Sequence, residues 1–369
     1  MILYDPKLTA VYRDYGILLP ISPSRGDKIL RFLRESGVFW ETFDLPGAAC
    51  RLEVPEPVIS RADVERVHQA DFVAALYQGG SGLSAGLIEA WELRDSQGRP
   101  NRYAPDQAVK PLEDLFAQVL GQIRGTYLAA RLALTGDRPP EPPGRAPGFC
   151  YYLGGGMHHG RYDHGTGFCL LNDIVIAARK LQAEHRAERL WIIDVDAHKG
   201  CGTAELVQFA RARGELGPGQ DLGNLSIHMA EGWPLDAETL RNAPPDRAPR
   251  IPADVEIPIA PGEEDRYAEA LGTGLTELET RFPAPDLAFV VDGADPYEHD
   301  GLPSSGLLRL SLAQCMDRDR LVFRYLRDRG IPSAWIMAGG YGDRAWEPPA
   351  HFLAALADPS RPNSPADDP

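Results

Sequence analysis

The chain has 369 residues, 43% hydrophobic and 25% charged, which excludes a disordered or fibrous polymer and leaves ample material for a buried core. At roughly 150 residues per domain the length suggests two domains, although α/β folds of about 250 residues or more commonly form one unit. Lys and Arg total 38 against 53 Asp and Glu, and the resulting net charge of −15 repels phosphate backbones, arguing against nucleic-acid partners and for cationic ones.

The opening residues Met1 to Pro6 contain no basic stretch followed by an apolar one, and no apolar run approaches membrane-spanning length. The reading is a cytoplasmic protein with no membrane partner. Cys50, Cys150, Cys169, Cys201 and Cys315 are odd in number, widely spread and free of C-x-x-C, which fits a reducing compartment rather than a disulfide framework. Ile29, Leu30, Phe32 and Leu33 recur at helical spacing between Gly26 and Gly37, behind a Pro-rich turn at Pro20 to Ser24. A second helix is predicted over Ala62 to Tyr77. Residues 78–107, rich in Gly, Ser, Asn and charge, read as a long surface loop that could line a site or build a contact in a homo-oligomer. Leu112, Leu115, Phe116, Val119 and Ile123 predict one long helix over residues 111–135, closed by Gly136. Asp137 to Pro147, with its many prolines, reads as an insertion loop rather than a linker.

From there apolar runs alternate with helical stretches, an α/β signature. The runs Phe149 to Leu153, Leu190 to Ile193, Leu225 to Ile227, Leu287 to Val291 and Ala334 to Met337 suit strands buried on both faces. Each run is followed by polar or glycine-rich residues, and in open parallel sheets ligands bind beyond the carboxyl ends of the strands. The clusters should therefore meet at one edge. No internal repeat is evident, and Asp358 to Pro369 reads as a disordered tail.

Asp194, Asp196 and His198 end a predicted strand at a two-residue period, which puts them on one face and makes them look like metal ligands. The alternative is that one carboxylate caps the next helix and the others are solvated. Asp295 would complete an Asp₂His set, leaving a fourth position open as in a catalytic rather than a structural zinc site; alone, Asp295 before Pro296 is more often just a turn residue. His158 and His159 follow three glycines; if they reach the same edge, one can accept a proton while the other is held by an acid such as Asp194. Tyr341, after Gly339 and Gly340, would present a phenol there, although a single tyrosine is more often a core residue. Gly82 to Gly86 matches the G-x-S-x-G nucleophile elbow around Ser84, but no buried strand precedes it. The glycines at 154–156 complete no nucleotide-binding fingerprint.

Together these residues resemble the zinc-dependent histone deacetylase superfamily, which also contains acetylpolyamine amidohydrolases and acetoin-utilisation proteins. The resemblance covers nearly the whole chain and rests on Gly154 to His159, Gly167 to Asp173, Asp194 to His198, Gly293 to Asp295 and Gly339 to Tyr341, with weaker matches at Ser22 to Arg25 and at Val67 and His68. It implies a single arginase-deacetylase-like α/β domain over residues 1–357, a mostly parallel multi-stranded sheet with helices on both faces. It further implies one catalytic zinc on Asp196, His198 and Asp295, since Gly200 stands where binuclear arginases carry another Asp. His159 would be general base and acid, His158 its partner held by Asp194, and Tyr341 the donor to the scissile carbonyl. Phe168, next to Gly167, would wall an acyl-lysine tunnel, with Trp233 opposite. A potassium ion would sit among Asp194, Ser226 and the main-chain carbonyls of Asp196, His198 and Ile227.

Two positions depart from the family pattern. Cys201 stands three residues after the ligand histidine, where many relatives carry Asp or Asn beside the catalytic histidine, and Lys199 replaces a residue that is often His or Gln. Leu302, seven residues after Asp295, occupies the place where polyamine-selective relatives can carry an acidic gatekeeper. The function implied is a zinc-dependent amidohydrolase removing an acetyl or longer acyl group from an amine, acyl-lysine foremost. The alternatives are deacetylation of acetylpolyamines or other small acylated amines, and a zinc-containing binding module with little turnover.

Overall fold

In each central strand, successive apolar side chains enter different cores: Cys150 and Tyr152, Leu190 and Ile192, and Phe289 and Val291 pack on one face of the sheet. Tyr151, Trp191, Ile193, Val290 and Trp335 pack on the other. This two-sided burial follows from strands that are apolar at every position and can pair only in the middle of a covered sheet. A computed structural model describes residues 1–54, 58–95, 97–134 and 148–357. The predicted insertion loop and the predicted tail lie outside the described residues.

All five predicted strands form. They are β3 (Phe149–Tyr152), β4 (Arg189–Asp194), β5 (Asp221–Met229), β7 (Leu287–Val291) and β8 (Ser333–Ile336). Three more were not read from the sequence: β1 (Ile2–Leu3), β2 (Thr42–Phe43) and β6 (Val255–Ile259). They lie at the two ends of one eight-stranded sheet of order β2-β1-β3-β8-β7-β4-β5-β6, in which every pair is parallel. β1 and β2 have two residues each, too few to show a period, and β6 is interrupted by Glu256 and Pro258.

The helices in chain order are α1 (Arg25–Glu35), α2 (Leu45–Arg51), α3 (Arg61–Glu65), α4 (Ala70–Gln78), α5 (Gly80–Ala90) and α6 (Leu115–Leu134). Then follow α7 (Asp173–Ala183), α8 (Cys201–Ala212), α9 (Ala237–Asn242), α10 (Tyr267–Arg281), α11 (Leu312–Asp328) and α12 (Glu347–Ala357). Apolar faces of α2 to α8 contribute to one core, and those of α1, α10, α11 and α12 to the other. Helices thus cover both faces, as expected of this fold class. Among the described residues no helix is long and apolar enough to cross a membrane.

Two expectations need correction. The helix predicted over Ala62 to Tyr77 is two helices, α3 and α4, broken at buried His68, whose ring serves the loop before α7. The predicted surface loop over residues 78–107 begins with a helix, α5. Two of its glycines make room: a Cβ on Gly82 would lie 3.1 Å from the Ala75 carbonyl, and one on Gly86 2.9 Å from Leu76. Close approach of α4 and α5, not chain flexibility, explains that composition.

The same logic applies on α6, where a Cβ at Gly125 would lie 2.1 Å from the ring of Tyr152 on β3. Gly125→Ala should therefore destabilise the protein by about 1–3 kcal/mol through overpacking, despite alanine's better helix propensity. A urea midpoint equal to or above that of the parent would refute this packing argument.

Candidate active site

Beyond β3 the chain turns at Gly155 and Gly156, with φ of 74° and 83°, against a wall where a Cβ on Gly156 would lie 2.4 Å from Ala338. The buried carboxylate of Asp173, at the start of α7, fixes this turn by accepting from the Gly156 and Met157 amides at 3.0 and 2.6 Å and from the Thr126 hydroxyl. Asn172 caps α7 through its side-chain oxygen, 3.0 Å from the Val175 amide. His68 donates from Nδ1 to the Arg161 carbonyl at 2.7 Å and accepts at Nε2 from the Asn172 amide at 3.0 Å. Burial pushes its pKa down to about 4, in keeping with a neutral ring used at both nitrogens. His68, a weak match in the sequence, thus braces the loop that carries His158 and His159.

The expected convergence occurs. His158 Nδ1 lies 2.7 Å from Asp194 Oδ2 at the end of β4, and its Nε2 lies 3.6 Å from Asp196 Oδ1. Burial opposes the charge on His158, but Asp194 and Asp196 outweigh it and raise the pKa to about 9. His159 lies beside it with ring centroids 3.9 Å apart and planes tilted by 48°, and its Nδ1 meets the Cys201 sulfur at 3.4 Å. Burial and the neighbouring histidines hold the His159 pKa well below the ordinary value. Two adjacent histidines therefore have opposite protonation tendencies: carboxylates face one, while burial and the charge of neighbouring histidines act on the other.

Asp196, His198 and Asp295 bring one ligand atom each within 4.8 Å of one another, all in buried side chains. His198 Nδ1 lies 2.8 Å from Asp295 Oδ2 and 3.5 Å from Asp196 Oδ1. Backbone amides orient the carboxylates: His198 and Gly339 donate to Asp196 at 3.0 and 2.9 Å, and Ala197 donates to Asp295 at 3.0 Å. Among the described residues the only ionic partners of these two carboxylates are histidines. Two dry carboxylates facing an imidazole without Lys or Arg form a donor set that fits a divalent cation.

Tyr341 completes the edge. Its amide donates to Asp300 Oδ2 at 2.7 Å, its carbonyl accepts from Gly301 at 3.0 Å, and burial keeps its phenol protonated. Asp300 and Thr126 are functional supports the sequence reading missed. Thr126 leaves a signal, a polar residue on the buried face of α6; Asp300 reads as one more turn acid. Gly167 and Phe168 both have positive φ, 57° and 66°, and the Phe168 ring lies 6.2 Å from that of Tyr341. Trp233 stands edge-on to His159 and His198, its ring centroid 4.7 and 5.8 Å from theirs.

A cavity of about 200 Å³ is lined by His158, His159, Gly167, Phe168, Asp196, His198 and Tyr341, and its lining also includes Met157, Arg25 and Gln122. Leu302 is buried but not among its lining residues; it lies two positions before Ser304, whose hydroxyl is 3.3 Å from His198 Nε2. Ser226 pairs with Asp194 across β4 and β5 and sits 3.4 Å from the Gly200 amide, and Ile227 is buried on the same strand. Lys199 turns away to an ion pair with Glu256 at 2.6 Å. Ser84 lies within α5, donating to the Gly80 carbonyl at 3.0 Å and to Glu113, so the nucleophile elbow is not formed.

Comparison with known proteins agrees with this geometry. The chain is 27% identical over 342 residues to histone deacetylase 2 of Arabidopsis thaliana, covering 92% of this chain and 74% of that one. It is 31% identical over 288 residues to the acetoin utilization protein AcuC of Bacillus subtilis, covering 78% and 65% respectively. The crystal structure of an acetylpolyamine aminohydrolase from Burkholderia pseudomallei superposes with a TM-score of 0.63 at 18% identity, over 97% of this chain and 98% of that one, which shows a shared fold. The model of the histone deacetylase domain matches residues 19–354, and with nearly the whole chain inside that match the protein belongs to the histone deacetylase family.

Proposed function

We propose that this deacetylase uses a single zinc ion, held by Asp196, His198 and Asp295, to hydrolyse the amide of an acylated amine, with acyl-lysine as the leading substrate. What supports the reading is the convergence of that donor set with one cavity lined by Asp196, His198, the His158 and His159 pair and Tyr341. Zinc bound there would polarise the amide carbonyl and acidify a water molecule. His159, neutral at rest, accepts the proton that water loses on attacking the carbonyl carbon, and returns it to the amine nitrogen as the carbon–nitrogen bond breaks. His158, kept charged by Asp194, favours the developing negative charge; the Tyr341 hydroxyl donates to the carbonyl oxygen as that charge grows. The products are a carboxylic acid and a free amine.

Phe168 and Gly167 line the approach, and Trp233 would wall the other side. The absence of a charge at Leu302 favours acyl-lysine over long acetylpolyamines, while the net charge of −15 suits any cationic amine. Potassium would bind among Asp194, Ser226 and the carbonyls of Asp196, His198 and Ile227. The five cysteines are free, which fits residence in the cytoplasm.

The reading is tested by zinc content and by hydrolysis rates on fluorogenic acyl-lysines of several chain lengths, with acetylspermidine in comparison. One zinc per chain, activity lost to a chelator and restored by zinc, and the higher kcat/KM on an acyl-lysine are expected. Full activity in metal-free protein would sink the mechanism; a preference for acetylspermidine would leave it standing and reverse the substrate assignment. Tyr341→Phe should lower kcat by roughly 10²–10³-fold with zinc retained, the usual loss for one oxyanion donor. A loss confined to KM would assign the hydroxyl to binding alone.

Cys201 yields a further prediction. A carboxylate at its position would favour the charged form of His159 and raise its pKa, whereas the thiol does little of this. Because protonated His159 cannot accept a proton, Cys201→Asp should move the acidic limb of the kcat/KM profile to higher pH. A folded, active variant with an unmoved limb would reject a direct influence of residue 201 on His159.

A further inference from the structure

Arg318, on α11, is 1% exposed, and no step described above uses it. Its guanidinium lies behind the strand ends that carry the ligand candidates. Nη1 donates to the carbonyls of Val195 and Gly293 at 3.0 and 2.7 Å. Nη2 donates to Asp292 at 2.7 Å, and Nε to Asp319 at 2.6 Å. Val195 immediately precedes Asp196, and Gly293 stands two residues before Asp295. One planar group therefore binds the backbone leaving β4 to the backbone leaving β7.

That link falls where the sheet stops providing one. The β4–β7 ladder ends at Asp194 paired with Val291, and the Val195 amide makes one more bond, to the Val291 carbonyl at 3.0 Å. Beyond it the Ala197 amide reaches across to Asp295, but this bond uses the ligand carboxylate itself. The gap is also tight: a Cβ on Gly293 would lie 2.3 Å from Asp196 Oδ2 and 2.7 Å from Asp295 Oδ1. A small rotation of either exit would change the separation of the two ligand carboxylates. Burying a guanidinium is costly unless its donors are paired, and here Asp292 is in turn fixed by the Tyr151 hydroxyl at 2.6 Å. Lysine could not replace it, since a point ammonium lacks the fork that spans two carbonyls and two carboxylates.

We propose that Arg318 is a positioning residue for the metal centre: without touching metal or substrate, it sets the spacing of the Asp196 and Asp295 loops and so the affinity of the ion between them. The inference rests on the assignment of zinc to Asp196, His198 and Asp295.

The test uses the full chain and measures zinc affinity by competition with a chromophoric chelator, alongside kcat and KM at saturating zinc. Arg318→Lys should weaken zinc binding by roughly 10–100-fold, the range typical of groups that orient metal ligands, and lower kcat with KM nearly unchanged. A merely structural residue would lower the melting temperature of the zinc-free protein but leave the folded chain's affinity alone. Zinc affinity within twofold of the parent in a folded variant overturns the proposal. If Arg318→Lys does not fold, Arg318→Gln combined with Asp292→Asn and Asp319→Asn removes all three buried charges together and gives the same comparison with the same two outcomes. Parent protein that binds no zinc would defeat the zinc assignment itself; parent binding with indifferent variants defeats only the role of Arg318.

Discussion

The constraint on which the rest of this structure depends is electrostatic. Asp194, Asp196 and Asp295 stand within one dry cluster, each about 1% exposed, with His158, His159 and His198 as their neighbours. Such crowding is tolerable only if every oxygen has a donor and the remaining negative charge has a cation to face. The backbone meets the first condition through the amides of Asp196, Ala197, His198 and Gly339. A divalent ion at the carboxylate pair would meet the second.

Topology makes the cluster possible. β3, β8, β7 and β4 are consecutive in the sheet although far apart in the chain, and all run parallel. Their carboxyl ends therefore open on one side, delivering His158 and His159, Tyr341, Asp295, and Asp196 with His198 to a common edge. Glycines at these exits supply space: a Cβ on Gly339 would lie 2.5 Å from Asp196 Oδ2, and one on Gly200 2.2 Å from Asp194 Oδ2. Side chains there would displace the acids that the site needs.

Most of this edge was legible because its residues are polar in places where a buried strand has just ended, a pattern with few other causes. The central strands were legible for the complementary reason, uninterrupted apolarity. What stayed hidden were groups whose meaning depends on long-range contact. Arg318 and Asp319 look like an ordinary charged stretch of α11 until the helix packs them behind β4 and β7. Gly82 and Gly86 look like loop residues until α4 lies against them. β1, β2 and β6, at the two ends of the sheet, are too short or too polar to carry a signature, and Asp300 is indistinguishable by type from its turn neighbours.

The three histidines show how far environment can separate identical side chains. His158 faces Asp194 and is driven toward its charged form; His198 faces Asp295 and Asp196, the arrangement of a ligand sharing a cation with two acids; His159 has a thiol behind it and stays neutral. A neutral imidazole beside a charged one suits the proposed proton transfer, in which one ring would accept while the other favours negative charge without competing for the proton. In this chain burial and the charged neighbours His158 and His198 hold His159 down, and the thiol of Cys201 beside it brings no carboxylate to oppose them. Asp173, Thr126 and His68, from three separate parts of the chain, brace the segment on which the two rings sit 3.9 Å apart, and in the proposed mechanism they would serve catalysis at one remove.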